Sequence, residues 1–146
     1  MKFRTVIATA AFVLGAYAAV AQVDAIATRK QVMKGVGEQT KTGGAMAKGE
    51  APYDQTKAQA IFTTYVDASE KMPNLFPDNS KTGGETAALP AIWEKMDDFK
   101  ARFAKLGADA KAALASVKDL DGFKAAFGVV TKNCGGCHET YRAKKS

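Results

Sequence analysis

The sequence predicts an all-α fold, an antiparallel bundle of four helices. Three observations predict it. Apolar residues recur in steps of three and four along four stretches, and no stretch reads convincingly as a strand. Clusters of Gly and Pro at 49–52 and 73–90 separate those stretches. The connection between the last two stretches is short, which makes their helices antiparallel neighbours.

The N-terminus stands apart from the bundle. Lys2 and Arg4 form a short basic region, and Val6 to Val20 is apolar except for Thr9, Gly15 and Tyr17. Ala19-Val20-Ala21 fits a small-x-small cleavage signal, with cutting before Gln22. Residues 1–21 therefore read as a secretory signal peptide, and 22–146 as one domain. As an uncleaved anchor the apolar run is short, since a span needs ~20 residues. An exported, periplasmic chain with no membrane attachment after cleavage is expected.

The first bundle helix runs from about Asp24, a capping residue, to about Lys48. Ile26, Arg29, Met33 and Val36 share one of its faces. Gly35, Gly37, Gly43 and Gly44 each weaken it by ~1 kcal/mol against alanine, but let a neighbour or a cofactor come close. Gly49 through Pro52 ends it. The second helix starts near the capping residue Asp54, keeps its period through Ala58, Ile61, Phe62, Tyr65, Val66 and Ser69, and stops at Pro73. Residues 73–90 form a long loop suited to crossing the end of a bundle. Its bulk argues against a simple hairpin. The third helix is the most regular, with Ile92, Met96, Phe99, Phe103, Leu106, Ala110, Leu114 and Val117 on one seam. Lys118 to Gly122 then connects, with Asp121 as a possible cap. In the fourth helix Phe123, Phe127, Val130, Cys134, Cys137 and Tyr141 keep the same steps.

The last helix carries the chemistry. Cys134-Gly135-Gly136-Cys137-His138 reads C-x-x-C-H and holds both cysteines and the only histidine of the chain. This is the pattern of c-type haem attachment. Each sulfur can add across a haem vinyl group, and the adjacent histidine can bind the iron. Positions i, i+3 and i+4 of a helix share a face, so all three side chains can meet one flat cofactor. A disulfide or redox C-x-x-C pair is the plainer alternative, but no βαβ pattern accompanies it. A zinc site would need further Cys or His ligands. Both cysteines also fall on the core face of their helix, so the cofactor belongs inside the bundle. The fold expected is thus a four-helix bundle with one covalently attached haem c.

Composition excludes little else. The formal charge is +6; residues 1–21 hold two basic and no acidic residues, so the remainder is near +4. Basic residues are scattered among acids, except for Lys144-Lys145, and form no nucleic-acid patch. Near the motif there are no paired carboxylates, no Ser-His arrangement and no second histidine to act as a general base, so the chain reads as a binding or carrier protein, not an enzyme.

The sequence resembles the cytochrome c′ family, the class II c-type cytochromes. The resemblance spans the whole of 22–146. It rests on Arg29-Lys30-Gln31-Val32-Met33-Lys34, Lys48-Gly49-Glu50, Leu75-Phe76-Pro77, Lys81-Thr82-Gly83-Gly84-Glu85-Thr86, Leu89-Pro90-Ala91-Ile92-Trp93, and the run from Cys134 through His138 and Tyr141-Arg142 to Lys144. A motif near the C-terminus separates this class from cytochromes that carry it near the N-terminus. The resemblance implies a high-spin haem with His138 as its only protein ligand. It implies a sixth position guarded by Met33, Arg29 near a haem propionate, and Arg142 against the proximal face. It also implies binding of nitric oxide and carbon monoxide, a homodimer through the first two helices, and a redox partner that the sequence does not identify.

Each of these residues has another reading. Arg29 could be a solvated helix residue, and Arg142 a charge favourable to the helix dipole; both readings of Arg142 can hold together. Met33 could ligate the iron, giving a low-spin His138/Met33 electron carrier. Trp93 reads as a packing anchor, Tyr65 and Phe62 as core or dimer-interface residues, and Met46, Met72 and Met96 as core or surface.

Overall fold

The computed structural model describes residues 10–144, with side chains from Ala25 onward. Its helices are α1 (Ala10–Lys48), α2 (Gln55–Lys71), α3 (Ala91–Glu94), α4 (Met96–Ser116) and α5 (Leu120–Tyr141). Four are long and form the bundle; α3 is a single turn. No strand occurs among the described residues, only an isolated bridge between Ala88 and Arg142. The basic start of the leader, Lys2 and Arg4, and Lys145 lie outside the described residues. Among those described, no helix is long and apolar enough to cross a membrane.

Asp24 does not cap α1, because the helix runs straight through it from Ala10. No Gly or Pro interrupts residues 16–34, so nothing in the backbone stops the helix there. Its C-terminal end is as expected. Gly49 takes φ +78, a conformation that costs a side-chain-bearing residue energy. Asp54 caps α2, its carboxylate accepting the Lys57 amide at 3.0 Å. The third helix is not continuous. Lys95 leaves helical geometry at φ −129, ψ 45 and separates α3 from α4. The apolar period hides that break, since the inward residues Ile92 and Phe99 are buried on both sides of it. The cap of α5 is Asp119, which accepts the Gly122 amide at 2.8 Å, and not Asp121, which sits in the first turn. Either aspartate has the right chemistry; the extended backbone of Asp119 decides.

Neighbours in the bundle run antiparallel. Gln55 reaches the Val117 carbonyl at 2.9 Å while Glu70 pairs with Lys111 at 2.9 Å, so α2 and α4 run opposite ways. Asn133 bonds Asp109, and Arg102 bonds Gly136, which opposes α4 and α5. The long loop 72–90 thus joins antiparallel neighbours after all. It detours across the bundle end, packing on α1 at one side and on the end of α5 at the other.

The core is aromatic and aliphatic. Phe62, Tyr65, Phe99, Phe103, Phe123 and Phe127 are all buried, and burying each such side chain contributes roughly 1.5–3 kcal/mol. Phe76, Phe103 and Tyr141 all meet Phe99 edge-on at 4.8 to 5.2 Å, the geometry that ring quadrupoles favour. Trp93 is a packing anchor, its indole donating to the Phe76 carbonyl at 3.0 Å. Phe62, Tyr65, Met46 and Met72 lie in the core, and Met96 packs half-buried against it.

Candidate functional site

Two helix faces define the site. On the inward face of α1, Ile26 and Arg29 are buried, Met33, Val36 and Thr40 are only half-buried, and Gly43 and Met46 are buried again. On α5, Phe123, Phe127 and Val130 are buried, Cys134 and Cys137 are half-buried, and Tyr141 is buried. On each helix, half-buried side chains thus lie between fully buried ones. The matching faces of α2 and α4 are closed throughout, with Tyr65 and Phe103 among their buried residues.

One contact sets the register of α1 against α5. A Cβ on Gly43 would lie 2.4 Å from Cε2 of Phe127, so the glycine lets the two helices meet there. Met33 lies ten residues before Gly43, and Cys137 ten residues after Phe127. In antiparallel helices rising 1.5 Å per residue, both stand ~15 Å from the contact. Met33 thus shares a level with Cys137 and the His138 turn.

Tyr65 contributes the floor. Thr40 gives its single hydroxyl hydrogen to the Val36 carbonyl at 2.7 Å, so the Tyr65 hydroxyl donates to Thr40 Oγ1 at 2.8 Å. Burial pushes the Tyr65 phenol up to about 12, with Cys134 near enough to add a smaller push.

The cysteines are free thiols. Burial raises both above the ordinary thiol value; Arg102 opposes that at Cys137. Redox C-x-x-C pairs work through a stabilised thiolate, typically at a helix N-terminus. Here the pair lies in the C-terminal half of α5, where the helix dipole disfavours negative charge. That argues against the thiol–disulfide reading. His138 is exposed at the edge of the bundle, yet burial and then the charge of Arg142 lower its pKa. The neutral imidazole, which is the metal-binding form, is favoured.

Arg29 is not a solvated helix residue. It is 4% exposed, and its terminal nitrogens donate to the Leu75 carbonyl, the Ser80 hydroxyl and carbonyl, and the Thr86 hydroxyl. Its guanidinium also lies 4.7 Å from the centre of the Phe76 ring. The loop it grips is joined to the end of α5, through Leu89 N–H to the Tyr141 carbonyl at 3.0 Å and Ala143 N–H to the Ala87 carbonyl at 2.8 Å. Arg29 thereby ties α1 to α5 beyond the half-buried segment. Arg142 is exposed at the C-cap of α5, and its charge reaches His138.

Sequence reasoning missed Asp98 and Arg102. Their i,i+4 spacing signals an ion pair, here 2.8 Å long, but not that Arg102 also donates to the Gly136 carbonyl at 2.6 Å.

These residues fit a covalently held haem. The cysteines are not joined in a disulfide, the histidine favours its neutral form, and Met33 and Val36 offer half-buried apolar side chains on the facing helix. A four-helix bundle that carries C-x-x-C-H on its last helix, with half-buried apolar side chains on the facing helix, fits a c-type haem protein. The family model described as Cytochrome C′ matches residues 24–142. The chain is 50% identical to cytochrome c′ of Rhodopseudomonas palustris over all of both sequences. The chain belongs to the cytochrome c′ family. A solved structure of the Rhodopseudomonas palustris cytochrome c′ superposes with a TM-score of 0.82 at 51% identity, covering 84% of this chain and 98% of that one. Cytochrome c-556 of Agrobacterium fabrum is 40% identical over 99% of each chain. A cytochrome c prime variant from Alcaligenes xylosoxidans, solved as its nitric oxide complex, has a TM-score of 0.73 at 27% identity, covering 84% of this chain and 97% of that one.

Proposed function

We propose that the chain is a periplasmic protein carrying one haem on Cys134 and Cys137, high-spin, with His138 as the sole protein ligand. It binds nitric oxide and carbon monoxide, and exchanges electrons with an acceptor or donor of its compartment. Bound, the haem supplies an iron that takes up diatomic gases and changes oxidation state. The residues of the chain do the rest. Cys134 and Cys137 would hold the group, and His138 would offer a nitrogen whose neutral form is favoured by burial and, to a lesser degree, by the charge of Arg142. The observation that carries the reading is Met33, half-buried at the level of Cys137 on the facing helix. A thioether there would guard a bound haem by its bulk, so that only small uncharged ligands could reach it. That the Alcaligenes xylosoxidans relative was solved as its nitric oxide complex supports the gas-binding part of the reading. Arg29 beside the propionates belongs to the same reading, as does a homodimer through α1 and α2. Export is supported by the basic and then apolar character of residues 1–21, which lie outside the family match at 24–142.

Met33→Ala is the test. The variant should bind carbon monoxide faster, because the guard is gone and a void remains, while its ligand-free spectrum stays the same. The second reading makes Met33 the sixth ligand of a low-spin electron carrier, since a thioether can ligate haem iron. In that case the ferric wild type shows a sulfur–iron charge-transfer band, and Met33→Ala abolishes it and converts the protein to high spin.

A further inference from the structure

The turn of α5 that carries His138 is held on both sides by one group of residues on α4. Two residues before His138, the Gly136 carbonyl accepts from Arg102 Nη1 at 2.6 Å. Three residues after it, the Tyr141 hydroxyl donates to Asp98 Oδ2. Asp98 and Arg102 are themselves joined, Nε to Oδ2, at 2.8 Å. The Arg102 guanidinium also lies 5.3 Å from the centre of the Tyr141 ring. The result is a closed circuit: Gly136 to Arg102, to Asp98, to Tyr141, and back along α5 through His138.

The circuit contributes little to global stability. Asp98 is exposed and Arg102 half-exposed, and such ion pairs are largely offset by solvent. Nor does Gly136 need Arg102, since a mid-helix carbonyl has its own ladder partner four residues on. What the circuit does is local. The planar guanidinium makes both bonds only from one orientation, so it fixes where Gly136 lies relative to Asp98. Tyr141, buried at 2% exposure, fixes where α5 lies relative to the same carboxylate.

We propose that Asp98, Arg102 and Tyr141 form a clamp that positions the His138 turn, and with it the imidazole. They are positioning residues; none needs to touch the iron. The proposal rests on His138 as the iron ligand.

The test uses the haem-loaded chain and two readouts. Arg102→Gln removes both donors. It should shift and broaden the iron–histidine stretching band of the ferrous protein in resonance Raman spectra. The amides of residues 137–141 should exchange hydrogen about fivefold faster, as loss of one such bond predicts. Arg102→Lys keeps the charge, but its single ammonium cannot reproduce the fork; it should behave like Arg102→Gln. Tyr141→Phe removes only the hydroxyl and should give a smaller change in the same direction, and it carries the test if Arg102→Gln does not fold. An unchanged band with native exchange in Arg102→Gln overturns the clamp. So does a wild-type band in Arg102→Lys, because charge alone would then suffice. If the wild type itself shows no iron–histidine band, the proposed function fails instead, and the exchange rates alone decide the clamp.

Discussion

Gly43→Ala should destabilise the protein while Gly37→Ala stabilises it. Both glycines lie in α1, and each gains ~1 kcal/mol of helix propensity from a methyl group. At Gly37 the new Cβ meets nothing within 4 Å, so the gain stands. At Gly43 it would sit 2.4 Å from Cε2 and 2.8 Å from Cζ of Phe127. Ordinary carbon contacts are ~3.5–4.0 Å, so something must yield by ~1 Å. The ring has little room, being 8% exposed and stacked on Phe123 at a centroid distance of 5.3 Å. Overpacking of this kind costs ~1–3 kcal/mol. Set against the propensity gain, Gly43→Ala should range from neutral to ~2 kcal/mol less stable than wild type. Gly37→Ala should be ~1 kcal/mol more stable. Urea unfolding of the two haem-loaded variants measures the gap directly, because the propensity term is common to both. Since the same contact sets the spacing of α1 and α5, Gly43→Ala should also speed carbon monoxide binding. Equal unfolding midpoints for the two alanines would refute the close approach, and with it the register that brings Met33 level with Cys137.

Two more perturbations test the frame around the site. Asp54→Ala removes the side-chain acceptor for the Lys57 amide and should cost ~1 kcal/mol in urea unfolding, whereas Asp54→Ser should recover most of it. Tyr65 holds its proton more tightly folded than unfolded, its phenol being pushed up to about 12 by burial. Its contribution to stability is therefore complete below the ordinary phenol value of ~10 and is lost as pH rises from there through about 12. Melting temperatures between pH 8 and 11.5 should fall less steeply in Tyr65→Phe than in the wild type.

The parts of the site that were legible in the sequence depend on local rules. Cys134, Cys137 and His138 share a face because of helical spacing, and that spacing is a property of neighbours in the chain. Asp54 and the apolar seams are local in the same sense. What was not legible depends on partners far apart. The Arg29 side chain could be placed on a face, but its partners Ser80 and Thr86 lie 51 and 57 positions away. A buried arginine and a solvated one have the same periodicity. Arg102 reads as half of a surface ion pair until α4 and α5 are set side by side. The Lys95 break and the choice of Asp119 over Asp121 turn on backbone angles at single residues, where two readings have nearly the same sequence cost.

The spacing of α1 and α5 follows from this division between local and distant. A bundle closes wherever facing side chains fill the space between its helices, and α2 and α4 do so along their whole inward faces. Between α1 and α5 the space is fixed from outside the half-buried segment instead. At one end Gly43 lets the helices touch. At the other, Arg29 holds the 72–90 loop, which holds the end of α5 through Ala87 and Leu89. With both ends pinned, these contacts hold the spacing of α1 and α5 at the level of the half-buried Met33 and Val36. Loosening either pin should change carbon monoxide binding in the haem-loaded protein without altering His138, the proposed iron ligand.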